Sequence, residues 1–331
     1  MTRLPFVVPL LAPMEAKLAD AVPRGAAWQY EPKWDGFRCL AYAAPGKVAL
    51  WSKSGKGLDR YFPEIADLLA AKVTRPCVLD GELIVAVGGQ LSFEALQARL
   101  HPAASRIEKL ARETPARYAL FDCLQDGKAA LVEAPLDDRR KALAALVAGF
   151  DDDRLFLSDA TTGAAKAEQW LAASGGDTDG VIAKRRDEPY RPGERAMVKV
   201  KRRRTADCVV GGFRYASGEK IVGSLLLGLY GDDGKLNHVG YTSAIEHAER
   251  AALTPTLEAL VAPPGFTGRV PGGPSRWSTD RSSDWQPLAP ELVVEVLFDH
   301  VTGERFRHGT RFLRWRPVKA PRQCRMEQLG S

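Results

Sequence analysis

Hydrophobic positions along the chain switch between two periods, and the switches mark its elements. Residues 47–51 read as a short strand, and residues 61–72 repeat at helical spacing with Phe62, Ile65, Leu68 and Leu69 on one face. Residues 77–86 and 117–124 are apolar runs of strand length, whereas 91–110, 136–147 and 163–173 read as helices. Residues 179–184 form another apolar strand. In Met197-Val198-Lys199-Val200-Lys201 the alternation puts both lysines on one face and both valines on the other. Strands interleaved with helices predict an α+β or α/β layered body.

The pattern changes after residue 200. Residues 201–207 are a hydrophilic run that reads as a hinge. Residues 208–215, 221–230 and 235–241 read as consecutive strands, two of them joined by the turn Gly231-Asp232-Asp233-Gly234. A helix over 244–261, a Pro/Gly/Ser-rich loop over 263–290 and a strand over 291–298 follow. Several strands with one helix predict a small barrel. The expected division is 1–204 and 205–331.

Composition sharpens this outline. A length of 331 residues is enough for two cores. The five cysteines are odd in number, scattered and never spaced C-x-x-C, which argues against a disulfide framework and a thiolate zinc site and for a reducing cytoplasm. The five histidines are equally dispersed, so any metal is expected on oxygen ligands. The apolar stretch over residues 4–13 is broken by three prolines, unlike a signal peptide, and no run reaches membrane-spanning length. A net charge of +6 leans toward a polyanionic partner. Distribution says more: residues 184–204 carry ten basic side chains against three acids, and 305–325 carry eight and none.

The chemistry centres on Tyr30-Glu31-Pro32-Lys33-Trp34-Asp35-Gly36-Phe37-Arg38, where a lysine lies between two acids just before a glycine suited to a tight turn. One reading is a surface turn with local ion pairs; the other makes Lys33 a nucleophile. A lysine with an ordinary pKa of about 10.4 is protonated near neutrality and has no lone pair to offer. The second reading therefore demands further cations or a metal converging on Lys33. Lys199 and Lys201 are candidates. In the strand over 77–86, period two sends Asp80 and Glu82 to one side, and charges on a core strand are costly unless they face a polar site. Phe121, by its position in a strand, reads as core.

The lysine motif resembles the active-site motif of covalent nucleotidyltransferases, the superfamily of ATP-dependent DNA ligases, RNA ligases and mRNA capping enzymes. Six further segments resemble that family's motifs in its order. The loop Ser52-Lys53 is similar to one that holds the nucleotide sugar and the nick, with Lys53 replacing the usual arginine and losing its bidentate fork. Asp80-Gly81-Glu82 is similar to a D-G-E motif whose glutamate binds metal and sugar. Phe121-Asp122 is similar to a segment whose aromatic ring stacks on adenine. Asp179-Gly180-Val181 is similar to one whose acid binds metal. Lys199-Val200-Lys201 is similar to the K-x-K pair that binds the α-phosphate. The carboxyl-terminal segment Arg311 to Lys319 is similar to a motif that orients the departing pyrophosphate, but Val318 stands where the family usually has aspartate.

The resemblance implies an α+β fold class: a nucleotidyltransferase (adenylation) domain of mixed or antiparallel sheets with helices, followed by an all-β OB-fold domain. It implies Lys33, Lys199, Lys201 and Arg316 as catalytic residues. Glu31, Arg38, Ser52, Lys53, Glu82, Phe121 and Lys319 would bind nucleotide, and Glu82 and Asp179 would bind metal. ATP is the implied cosubstrate, carried as AMP on Lys33, with Mg²⁺ or in its place Mn²⁺. Residues 28–38, 93–106 and 204–229 look most like the short bacterial ligases grouped as C-type, or LigC-like. The implied function is sealing of nicks in duplex DNA during repair by a monomeric cytoplasmic enzyme without membrane partners. An RNA ligase of the same chemistry and a non-catalytic nick-binding module are the alternatives. The departure at Val318 implies slower charging by ATP.

Overall fold

The computed structural model describes residues 6, 9–174, 178–202, 204–272, 284–299, 301–307 and 309–330. Positions 4, 5, 7 and 8 of the early apolar stretch and 273–283 of the Pro/Gly/Ser-rich loop lie outside the described residues. The chain divides into two units, Met1–Arg202 and Arg203–Ser331.

The first unit holds two sheets. The larger runs in the order Lys47–Ser52, Phe37–Ala44, Cys77–Val87, Ala116–Asp126 and Ala129–Ala130, all antiparallel, and Leu155–Leu157 pairs parallel to Ala116–Asp126 at the side. The smaller runs Ala16–Ala19, Met197–Val200, Thr178–Arg185 and Trp28–Trp34. Its first pair is parallel, with Ala16 opposite Met197.

Side-chain alternation decides what each face of these sheets meets. On Phe37–Ala44, Cys39, Ala41 and Ala43 join Ile65, Leu69 and Leu143 in the core under the helices Pro63–Lys72 and Leu136–Ala148. Leu40 and Tyr42, on the opposite face, pack with Val78, Leu124 and Met197 between the two sheets. Val198 and Val200 point away from that layer and pack with Tyr30, Val181 and Ala167 under the helix Ala164–Ala173. Charged residues alternating with these apolar ones are thereby turned into the space between the sheets.

The second unit is a five-stranded antiparallel sheet in the order Leu236–Thr242, Val222–Tyr230, Arg204–Tyr215, Val293–Phe298 and Arg311–Trp315, with Gln286–Pro287 attached to Arg204–Tyr215. Thr310 N–H donates to Tyr241 C=O at 3.0 Å and Thr242 Oγ1 donates to Thr310 C=O at 3.0 Å, which draws the two edge strands together into a barrel. Val210, Phe213, Leu225, Leu227, Val294 and Val296 fill it.

Two expectations are corrected. The helix over 91–110 is two helices, Phe93–Ala98 and Ala104–Glu113. Pro102 lies in the gap, where it has no N–H to donate and pushes His101 out of helical geometry. The hinge over 201–207 ends early, because the strand Arg204–Tyr215 already pairs at Arg204, opposite Phe298. Thr205 and Asp207 are the outward positions of a strand whose alternate members, Ala206 and Cys208, are buried. Among the described residues no helix is long and apolar enough to cross a membrane.

Candidate active site

A cavity of about 160 Å³ opens between the two sheets of the first unit. Glu31, Lys33, Arg38, Lys53, Glu82, Phe121 and Lys199 all line it, so seven of the residues singled out in the sequence share one wall system. They arrive there by period two: Glu31 and Lys33 alternate with the buried Tyr30, and Lys199 alternates with Val198 and Val200.

Lys33 Nζ donates to Asp179 Oδ2 at 2.8 Å, and Lys201 Nζ lies 3.1 Å from the same oxygen. Asp179 is placed by Gly180, whose φ of +134° and missing Cβ allow the strand to pass within contact of the Val200 carbonyl; a Cβ would lie 2.1 Å from that oxygen. Gly36 serves a related end. It is required by close approach, since a Cβ there would meet Leu83 O at 2.2 Å and Glu82 Cγ at 2.8 Å. Burial pushes the Lys199 ammonium below its ordinary pKa, and the charges of Lys201, Lys33 and Lys53 push the same way.

Asp80 and Glu82 face the same side of their strand but do different things. Asp80 is fully buried and accepts from Arg38 Nε and Nη2 at 2.6 Å each and from the Tyr190 hydroxyl at 2.6 Å. The fork fixes the Arg38 guanidinium 4.4 Å from the centre of the Phe121 ring. Glu82 lacks such a partner in the hydrogen bonds of the site. Burial raises its carboxyl to about 7, against the pull of Arg38 and Lys33.

Lys184, absent from the sequence reading of the site, lies in its wall: Nζ is 2.8 Å from Glu31 Oε2 and 4.5 Å from the centre of the Phe121 ring. Its signal was alternation with Ile182, which faces the same cavity. Lys53 Nζ pairs with Glu15 Oε1 at 2.9 Å. Ser52 is not part of the cavity wall; its Oγ accepts from the Lys56 N–H at 2.9 Å and closes the loop. Arg316 and Lys319 belong to the second unit, where both lie near Asp207, at 3.6 and 3.5 Å. Val318 is 93% exposed.

Among the described residues no group of three or more His, Cys, Asp and Glu side chains is placed to hold a metal unaided. The donors fit a hard cation that also takes oxygens from phosphate and water. The raised Glu82 carboxyl marks buried acid short of counter-charge, and Asp179 adds a carboxylate now shared by two lysines.

A family model described as ATP dependent DNA ligase domain matches residues 9–201, and one described as ATP dependent DNA ligase C terminal region matches 218–319. The chain is 45% identical to DNA ligase C1 of Mycolicibacterium smegmatis over 98% of this chain and 95% of the relative. It is 42% identical to DNA ligase C of Mycobacterium tuberculosis over 98% and 94%. A solved structure from a study of Lig E DNA ligases, 20% identical, superposes with a TM-score of 0.57 over 91% of this chain and 99% of that one, a likeness of fold. The adenylation-domain and OB-fold architecture expected from the sequence is therefore present, and the chain belongs to the ATP-dependent DNA ligases.

Proposed function

We propose that Lys33 is the nucleotide carrier of this ligase, taking AMP from ATP and passing it to the 5′-phosphate of a nick in duplex DNA. Attack by the 3′-hydroxyl then seals the strand and releases AMP. The observation that carries this reading is the setting of Lys33 Nζ, which lines the cavity with Lys199 and Lys53 and is tied to Asp179 at 2.8 Å.

Phosphoryl chemistry of this type needs positioning and charge neutralisation more than a strong base. Asp179 orients the amine. Lys199 and Lys201 receive the α-phosphate, with Arg316 and Lys319 assigned to the β- and γ-phosphates. Phe121 offers a ring for the adenine, held from behind by the Arg38–Asp80 fork. Glu31, Arg38 and Lys53 complete the nucleotide contacts, and we add Lys184, which bridges Glu31 and the Phe121 ring. Ser52 is retained only as the residue that shapes the Lys53 loop. Glu82 and Asp179 would hold Mg²⁺, or Mn²⁺ in its place, which supplies charge neutralisation on the phosphate oxygens when bound.

In this reading residues 1–204 carry adenylation and residues 205–331 carry DNA binding and the carboxyl-terminal basic motif. The enzyme acts as a monomer on nicked duplex in the cytoplasm, in repair. Incubation with α-labelled ATP tests the reading: label should move onto the protein and then onto nicked DNA. A chain that never takes label would be a binding module, and faster sealing of RNA nicks than of DNA nicks would move the substrate.

A further inference from the structure

In the second unit Asp207 stands opposite Glu295 on neighbouring strands, and Glu295 stands opposite Arg314 on the next. Glu295 Oε2 accepts from Arg314 Nε at 2.6 Å and from Arg316 Nη1 at 3.2 Å. The two oxygens of Asp207 divide between two cations: Oδ1 lies 3.6 Å from Arg316 Nε and Oδ2 lies 3.5 Å from Lys319 Nζ. The Lys319 N–H donates to the Arg316 carbonyl at 3.0 Å, a turn that presents both cations to the carboxylates while Val318 stays in solvent.

Asp207 is itself fixed. The Gln328 side chain accepts from its N–H at 2.9 Å and donates to its carbonyl at 3.1 Å. Its Oδ1 is buried and takes no hydrogen bond among the described residues, so the carboxylate charge is met by the guanidinium and ammonium beside it rather than by a hydrogen bond at that oxygen. Replacement of the usual aspartate by Val318 therefore leaves the cations of this segment with an acidic partner, supplied from two other strands.

We propose that Asp207, assisted by Glu295, is the positioning residue that sets Arg316 and Lys319 for the β- and γ-phosphates while Lys33 is charged. This rests on the reading of Arg316 and Lys319 given above. In that step the Lys33 Nζ lone pair forms a bond to the α-phosphorus and the bond from that phosphorus to the bridging oxygen breaks. The electron pair leaves with pyrophosphate and the amine proton passes to solvent. Charge grows on the leaving group, and two cations at a fixed spacing meet it. One carboxylate oxygen for each cation sets that spacing.

The test measures two rates on the full-length protein: single-turnover charging by ATP, and sealing of a nick that already carries 5′-AMP, in which no pyrophosphate departs. Asp207→Asn should slow charging about ten-fold and leave sealing of the adenylated nick within about two-fold, which also shows the variant to be folded. Glu295→Gln should act in the same direction more weakly. Val318→Asp should charge within about two-fold of the native chain, because its position is in solvent. Native charging by Asp207→Asn, or an equal loss in both reactions, overturns the proposal. Arg316→Ala separates the two readings. If it charges slowly while Asp207→Asn does not, only this inference fails; if Arg316→Ala charges normally, the assignment of Arg316 fails and this inference falls with it.

Discussion

Asp179 Oδ2 lies 2.8 Å from Lys33 Nζ, so the residue assigned as nucleophile is held by a strand far from it in sequence. Lys201 shares that oxygen at 3.1 Å, which makes one carboxylate the junction of the lysine motif and the K-x-K pair.

Removing the junction should therefore damage charging more than folding. Asp179→Asn is expected to slow single-turnover adenylation by about a hundred- to a thousand-fold, the scale of losing one organised electrostatic contact. Mass spectrometry after incubation with ATP should place the adduct on Lys33 in the native chain and find none in Lys33→Ala. An adduct on another lysine would move the nucleophile.

Asp80→Ala should be costly to stability. It would strip Arg38 of its bidentate partner and the Tyr190 hydroxyl of its acceptor in a fully buried setting. Breaking such a pair costs about 3–5 kcal/mol. Urea denaturation should show it as a lower midpoint with an unchanged slope. A shift below about 1 kcal/mol would mean that water replaces the missing carboxylate.

His238 supplies a test by pH. It is buried in the barrel, and burial, joined by the charges of Arg305, Arg214 and Arg269, lowers its pKa from 6.5 to about 3. Between those values the unfolded chain binds the proton and the folded chain does not. The folded state bears no cost on this account above pH 6.5 and loses stability as pH falls toward 3, by at most roughly 5 kcal/mol. Because carboxylates titrate in the same range, the measure is the difference from His238→Asn, whose unfolding free energy should fall less steeply over that window. Parallel profiles would remove His238 as the cause.

Binding to nicked duplex should weaken steeply with salt. If six or more phosphates are neutralised, affinity should fall by about 10³ or more between 50 and 200 mM salt. Direct titrations at several salt concentrations give the slope, and a flat one would exclude the basic stretches 184–204 and 305–325 as the footprint.

What could be read from the sequence was what depends on near neighbours. Alternation revealed which side of its strand Lys199 takes, and the pairing of Asp80 with Glu82 on one face followed from period two. The partners of those side chains were another matter. Asp80 reads as a site acid until Arg38 and Tyr190 are seen to saturate it, and those contacts span 42 and 110 positions. Lys184, a lysine ending an apolar strand, looks in sequence like a solvated terminus; only the approach of Phe121 and Glu31 puts it in the wall. Likewise the polar run before Cys208 reads locally as a hinge, since nothing near it in sequence shows that Asp207 faces Arg316 and Lys319.

The parallel pairing of Ala16–Ala19 with Met197–Val200 has a consequence in time. During synthesis at roughly 5–20 residues per second, the early strand waits on the order of ten seconds or longer for its neighbour to emerge. Lys33 is made early, but Lys199, Lys201 and the Asp179 carboxylate come late, and the four-stranded sheet that presents them closes only when the later strand arrives. A nascent chain stalled before that strand holds the lysine assigned as nucleophile without its surroundings. If Lys33 carries the nucleotide as proposed, the order of the strands confines charging to chains whose first unit is finished.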